Sequence, residues 1–170
     1  MNVEANPDLA QSFLYLRPEM ATLNMAVGKP DEFVTIQIMG EDSSSTVNPG
    51  FEDYLHKSRP GLRATKNYTV PSISIKEICE RYFYRRPIFI SLDIEGNEGV
   101  GLENNDWNNP KCRPDVWMVE VFDKKVDPDG KRYNASLPED ILSQNGYKPL
   151  PGNFPHEIVY VEEKVFDKYQ

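Results

Sequence analysis

The sequence predicts an α/β domain in which strands alternate with helices and a mostly parallel, doubly wound sheet ends in an antiparallel hairpin. Two short apolar runs, Ile88 to Leu92 and Val116 to Val121, are continuous rather than alternating, as in parallel strands covered on both faces. Both runs end in carboxylates, with Asp93 and Glu95 after the first and Glu120 at the end of the second. Ligands of such sheets bind beyond the carboxyl ends of the strands, so these acids mark the expected site.

The first elements are the end of a strand, a helix and two further strands. Met1 to Glu4 is expected to finish a strand, and Asn6-Pro7 opens a helix because proline suits the first helical turn. Leu23 to Val27 is predicted as a strand closed by Gly28, and Phe33 to Met39 alternates like an exposed antiparallel strand. The helix is expected to carry an apolar stripe formed by Leu9, Phe13, Leu14 and Leu16.

The remainder of the chain continues this alternation. Residues 41–61 are rich in Ser, Asn, Pro and Gly, which predicts a polar loop or lid, and an extended stretch follows from Leu62 to Val70. Ser74 with Glu77 three residues later forms a capping box that predicts a helix. Its inward residues are expected to be Ile75, Ile78, Cys79 and Tyr82. The last predicted elements are a helix from about Asn97, a helix from about Pro138 to Gln144, and a hairpin of Tyr147 to Leu150 with Glu157 to Glu162.

Composition limits the domain count and the classes of partner. A chain of 170 residues with 39% hydrophobic content suits one domain over residues 1–170. A net charge of -8 argues against nucleic acid and anionic membranes as partners, and nothing in the sequence fixes an oligomeric state. No signal peptide or long apolar segment is present, which predicts a soluble, cytoplasmic protein. Two cysteines, Cys79 and Cys112, and two histidines, His56 and His156, are too few for a structural zinc site, so free buried thiols are expected.

Several motifs in the correct order resemble the FkbM family of S-adenosylmethionine-dependent methyltransferases. The resemblance rests on VEANPDL near the start, AVG at Ala26 to Gly28, SLDIEGNE at Ser91 to Glu98, NDW at Asn105 to Trp107 and RPDVWMVEV at Arg113 to Val121. It implies a class I methyltransferase fold, which is Rossmann-like, with S-adenosylmethionine as cofactor. It also implies transfer of a methyl group to an oxygen of a small molecule or a carbohydrate.

The resemblance assigns cofactor-binding roles to residues near the start of the chain. Glu4 stands where the family places the carboxylate that accepts the ribose hydroxyls of S-adenosylmethionine, and a charged acceptor makes the stronger hydrogen bonds. Ala26, Val27 and Gly28 would lie along the adenine, which needs small side chains and backbone donors.

The acids after the two buried runs are the candidate catalytic residues. Asp93 and Glu95 are one residue apart and cannot both be buried and ionised without help, and Glu120 is expected to face the same crevice. In a methyl transfer these carboxylates can stabilise the positive cofactor, act as general base, or hold Mg²⁺ between Asp93 and Glu95. All three roles stay open at this point. The structural alternative is that Asp93 or Glu95 caps the next helix while Gly96 serves a tight turn.

The sequence departs from the family pattern at its beginning. The family's first strand and glycine-rich turn come before VEANP, whereas only Met1 and Asn2 precede Val3, so the fold is expected to be N-terminally incomplete. The favoured explanation is a fragment of a longer methyltransferase; another element filling the gap, or loss of cofactor binding, are the alternatives. Two other functions compete: a metal-dependent nucleotide-sugar glycosyltransferase that uses the acids of Asp93-Ile94-Glu95, and a non-catalytic remnant or interaction module.

Overall fold

The computed structural model describes residues 1–39, 45–47, 56, 59, 61–121, 138–152 and 157–167. It is an α/β structure with two compact units, Met1–Ser74 and Ile75–Gln170. Within the described residues, no helix is both long enough and apolar enough to cross a bilayer. Most of the predicted lid, residues 41–61, and the whole of the His156 position lie outside the described residues.

The first unit is built around a small mixed sheet. It begins with β1 (Asn2–Val3), which pairs in parallel with β2 (Thr22–Leu23) after the intervening α1 (Pro7–Leu16). The four-stranded sheet contains β3 (Ala26–Val27), β4 (Phe33–Met39), β5 (Ser45–Thr46) and β6 (Ala64–Ile73), in the order β3-β6-β4-β5.

The strand predicted over Leu23 to Val27 is two strands in the structure. Between them, Asn24 donates its side-chain amide to the main-chain carbonyls of Glu4 and Ala5, at 2.9 and 3.0 Å. This pairing ties β2 to the end of β1, and β3 then pairs in parallel with β6 instead. The polar side chain of Asn24 therefore interrupts the otherwise apolar run from Leu23 to Val27.

The alternation along β4 decides which face of the first unit's sheet is buried. Ile36 and Ile38 are buried and form a core with Ala26 of β3 and Val70 of β6. Phe33, at the start of β4, is 77% exposed. Because β4 pairs antiparallel with β6, the predicted antiparallel pairing is confirmed, but the expectation of an exposed strand holds only near Phe33, since Ile36, Ile38 and Met39 are buried.

The helix α1 starts where the sequence predicts. The side chain of Asn6 caps it by accepting a hydrogen bond from the Asp8 main-chain N–H at 3.0 Å. The predicted apolar stripe is wrong in the second half of the helix, since Leu14 and Leu16 are exposed, and the buried residue is Ala10. Spacing alone did not show which side of the helix the rest of the unit covers.

The second unit carries the two apolar runs and the C-terminal hairpin. In chain order, its elements are α2 (Ile75–Tyr82), β7 (Phe89–Leu92), α3 (Glu98–Glu103), a 3₁₀ turn at Pro110–Cys112, β8 (Val116–Glu120), α4 (Pro138–Gln144), β9 (Tyr147–Pro149), β10 (Glu157–Glu162) and α5 (Glu163–Phe166). The sheet order is β7-β8-β10-β9. All the elements predicted for this part of the chain are therefore present.

Parallel and antiparallel pairs share the same sheets. β8 pairs in parallel with β7 and antiparallel with β10, and β6 likewise pairs in parallel with β3 and antiparallel with β4. The predicted C-terminal hairpin is confirmed, because β10 runs antiparallel to β9. The expectation of a mostly parallel sheet is corrected to mixed sheets, since β10 returns between β8 and β9 and adds its two antiparallel pairings.

Burial in the second unit is centred on β8. Trp117 and Val119 of this strand are fully buried, and the ring of Trp107 contacts that of Trp117 with centroids 6.2 Å apart. Cys79 and Cys112 are free, buried thiols, as expected. The run at β7 is less buried than predicted. Phe89 is 52% exposed because, within the described residues, β7 pairs with β8 on one side only.

A buried acid forms ion pairs near the amino end of β8, at the edge of the sheet opposite the carboxyl ends of β7 and β8. Glu162, the last residue of β10, is 4% exposed and accepts hydrogen bonds from Arg86 at 2.6 Å and Arg113 at 3.2 Å. Arg113 also donates to the carbonyls of Trp107 and Asn145. Burial by itself would raise the pKa of Glu162, but the hydrogen bonds and positive charges of the two arginines outweigh it and hold that pKa below its usual range.

Candidate active site

The carboxyl ends of β7 and β8 lie side by side and bring two of the predicted acids together. The parallel register pairs Leu92 with Val119, so Asp93 and Glu120, the next residue on each strand, face one another across the ladder. Asp93 is exposed and Glu120 is half-buried. The continuous apolar runs position these residues, because each strand ends where its apolar run gives way to acids.

A third acid completes the group and comes from α3. Single carboxylate oxygens of Asp93, Glu98 and Glu120 all lie within 4.8 Å of one another. Glu98 is only 1% exposed, which is unusual for an acid and requires partners inside the protein. We call these three residues the acid cluster.

Burial and repulsion between carboxylates raise the pKa of two members of the acid cluster, Glu120 and Glu98. Burial first, then the hydrogen bond to Asp93 and repulsion by the neighbouring carboxylates, raise the pKa of Glu120 to about 9. Burial also raises the pKa of Glu98 to about 7, although hydrogen bonds from main-chain amides partly offset this. At pH 7, Glu120 therefore keeps its proton.

The proton on Glu120 also resolves a hydrogen-bonding conflict. The buried Oε2 atom of Glu120 has no hydrogen-bond partner in the structure, which is costly for an ionised carboxylate. A protonated Glu120 can donate to the carboxylate of Asp93, as two acids do when they share one proton. Of the two facing acids, Asp93 is the more exposed.

The loop between β7 and α3 is a tight turn with two residues in the left-handed region. Glu95 has φ 55° and Gly96 has φ 90°, which confirms that Gly96 serves a turn here. Glu98 reaches back to this turn, where its Oε1 atom accepts hydrogen bonds from the amides of Ile94 at 2.9 Å and Gly96 at 3.2 Å. The residue at the start of α3 is Asn97, so neither Asp93 nor Glu95 occupies the capping position.

Of the predicted catalytic residues, Asp93 and Glu120 belong to the acid cluster and Glu95 does not. Glu95 is close enough for its charge to contribute to the raised pKa of Glu120. Sequence reasoning missed Glu98, whose signal was its place as the last residue of the DIEGNE run, beside the turn that it stabilises. Carboxylate oxygens are the ligands that Mg²⁺ and Mn²⁺ prefer, so Asp93, Glu98 and Glu120 are the residues that could hold such an ion.

The residues assigned to the cofactor lie in the first unit. Glu4 follows β1, and its Oε1 atom accepts a hydrogen bond from the Asn6 amide at 2.7 Å, which fixes the carboxylate at the strand end. Ala26 and Val27 form β3, and Ala26 is buried. The amide of Gly28 donates to the carbonyl of Ile73 at 3.0 Å, so this N–H is already used within the sheet.

Comparisons with known proteins identify one family. A family model described as "Methyltransferase FkbM domain" matches residues 1–149, and this range includes both the acid cluster and Glu4. No curated protein and no solved structure matched the chain.

Proposed function

Since the chain belongs to the FkbM methyltransferase family, we propose that it transfers the methyl group of S-adenosylmethionine to a hydroxyl oxygen of a small molecule or a carbohydrate. The observation that carries this proposal is the acid cluster at the carboxyl ends of β7 and β8. In the reaction the sulfur–methyl bond breaks and an oxygen–methyl bond forms. The hydroxyl proton passes to a carboxylate, and the cofactor leaves as neutral S-adenosylhomocysteine.

Asp93 is proposed as the general base. Its side chain is exposed, whereas Glu98 is buried, so Asp93 is the member of the cluster best placed to meet an acceptor. Asp93 also lies beside Glu120 at the carboxyl ends of the two strands, where a carboxylate can take the proton of the hydroxyl. A site lined by acids favours a positively charged sulfonium nearby, which supports S-adenosylmethionine over its neutral product.

The residues assigned to the cofactor fit this proposal in part. The Glu4 carboxylate stands at the end of a strand, as an acceptor for ribose hydroxyls must, and Ala26 offers a small side chain beside an adenine. The Gly28 amide is engaged by Ile73, so the adenine would have to take its polar contacts from other main-chain groups. These residues of the first unit are proposed to bind the adenosine of the cofactor.

The proposal is tested by supplying methyl-labelled S-adenosylmethionine with a panel of small hydroxyl compounds and free sugars. Labelled product is expected, and it should survive mild alkali because methyl ethers are stable where methyl esters hydrolyse. Calorimetric titration with S-adenosylhomocysteine should show binding in parallel. Alkali-labile product would indicate methylation of a carboxyl group instead. A folded chain that neither binds S-adenosylhomocysteine nor transfers label would favour the non-catalytic alternative.

A further inference from the structure

The turn between β7 and α3 holds Glu95 in a conformation that a non-glycine residue does not favour. Glu95 and Gly96 both have positive φ, and a non-glycine residue in the left-handed region is uncommon. Such a residue persists only where its surroundings hold it in place. Asp93 immediately precedes this turn, so the turn's conformation determines where the Asp93 carboxylate lies.

Glu98 supplies the contacts that hold the turn. A single oxygen, Oε1, accepts hydrogen bonds from the amides of Ile94 and Gly96, the two residues on either side of Glu95. Both contacts are sheltered from solvent, since Glu98 is 1% exposed. Hydrogen bonds from main-chain amides to a carboxylate are among the stronger ones in proteins, and they keep that strength when water is excluded.

The same side chain belongs to the acid cluster. A carboxylate oxygen of Glu98 lies within 4.8 Å of oxygens of both Asp93 and Glu120. Its carboxyl group therefore contacts the turn on one side and neighbours the proposed base on the other. Another acid on the same helix, Glu103, is exposed and serves as a natural comparison.

We propose that Glu98 is a positioning residue: its carboxylate holds the turn from Ile94 to Gly96 so that Asp93 stays beside Glu120 in the geometry that methyl transfer needs. This role rests on the proposed function. Glu98 acts through the turn and not by touching the acceptor. Displacing a catalytic group by about 1 Å can lower a rate by about 10²-fold, so loosening this turn should reduce turnover more than cofactor binding.

The test compares three variants by amide hydrogen exchange and by steady-state kinetics. Glu98→Ala removes both acceptor contacts, Glu98→Gln keeps an oxygen of the same reach, and Glu103→Ala is the matched control on the same helix. In Glu98→Ala, exchange of the Ile94 and Gly96 amides should quicken by about 10- to 100-fold, while amides of β8 keep their protection. Its kcat should fall by about 10²-fold with the KM for S-adenosylmethionine within about threefold of wild type.

The conservative variant separates positioning from a general structural role. Glu98→Gln should restore slow exchange of both amides and return kcat to within about tenfold of wild type, and Glu103→Ala should match wild type in both measurements. Unchanged exchange in Glu98→Ala would show that the turn does not depend on this carboxylate. Quickened exchange with unchanged kcat would show a turn that is held but does not position the base.

The same experiment also covers a Glu98→Ala variant that does not fold and a wild-type chain that transfers no methyl group. If Glu98→Ala does not fold, Glu98→Asp takes its place, since the side chain shortened by one methylene cannot reach both amides and should behave as described for alanine. If the wild-type chain transfers no methyl group, the proposed function fails and the positioning role with it. The exchange measurement needs no ligand and still decides whether Glu98 holds the turn.

Discussion

Replacing Glu120 with glutamine should make the protein more stable at alkaline pH and leave its stability unchanged at acidic pH. Glutamine has the shape of a protonated glutamate and can donate an N–H to Asp93, as protonated Glu120 does. The unfolded chain loses the Glu120 proton near its ordinary pKa of 4.5, whereas the folded chain keeps it up to a pKa of about 9. Between these values the folded state holds the additional proton, so stability falls as pH rises.

The magnitude follows from the width of this window. Each pH unit within it costs at most about 1.4 kcal/mol, so the interval from about pH 5 to about pH 8 gives an upper bound of about 4 kcal/mol. Glu120 is half-buried, and solvent screens part of this cost, so about 2 kcal/mol is the expected difference at pH 8. For a chain of this size, that corresponds to about 4–8 °C in melting temperature.

Thermal unfolding followed by circular dichroism at both pH values measures this difference. Glu120→Gln should melt with wild type near pH 5 and above it near pH 8, while Glu103→Gln, an exposed acid of the same unit, should follow wild type at both. If wild type and Glu120→Gln lose equal stability between the two pH values, Glu120 is ionised in the folded protein at neutral pH. The shared proton, and the electrostatic argument built on it, would then be wrong.

Three further predictions concern other parts of the second unit and of the site. Glu162→Gln should lower the free energy of unfolding in urea by about 3 kcal/mol, because Arg86 and Arg113 lose a buried partner. The control is Glu163→Gln, an exposed neighbour that pairs with Lys148 at 3.6 Å, and it should cost less than about 0.5 kcal/mol. Equal losses in the two variants would contradict a stabilising role for the ion pairs of Glu162 with the two arginines. The pKa of Glu162 is lowered in the folded protein, so its contribution to stability is present above the ordinary pKa of 4.5 and is lost as pH falls through the lower folded value. The stability difference between wild type and Glu162→Gln should therefore shrink in acid. A difference that stays constant down to about pH 2 would refute this. Methyl transfer should be unchanged by EDTA, because a shared proton already offsets the charge of the acid cluster; loss of activity that Mg²⁺ restores would assign the cluster to a metal ion instead.

Helices and strands that are marked by local residue patterns could be predicted from the sequence. Pro138 to Gln144 forms a helix with the predicted bounds, and β8 covers Val116–Glu120 within the predicted run Val116 to Val121. The exposure of Leu14 and Leu16 was not predictable from spacing, since it depends on which face of α1 the rest of the first unit covers. Local patterns likewise gave no sign that β10 returns between β8 and β9.

The candidate site was predictable in part for the same reason. Asp93 was found because it follows one strand-like apolar run and Glu120 because it lies at the end of the other, and parallel neighbouring strands end at the same edge. Glu98 was missed because its role depends on a side chain that folds back over a turn with two positive φ angles. The sequence pattern shows that an acid stands at position 98. It does not show that the preceding turn directs the amides of Ile94 and Gly96 toward one oxygen of that acid.

Transfer of labelled methyl groups by wild type and by Asp93→Asn, measured side by side with the same hydroxyl acceptor, addresses the role of the acid cluster most directly. Asparagine has the size of aspartate but cannot take a proton, so the rate should fall by about 10²-fold or more while S-adenosylhomocysteine still binds within a few-fold of wild type. Glu103→Gln should transfer label at the wild-type rate. Equal rates for wild type and Asp93→Asn would show that the acids at the ends of β7 and β8 do not serve the reaction.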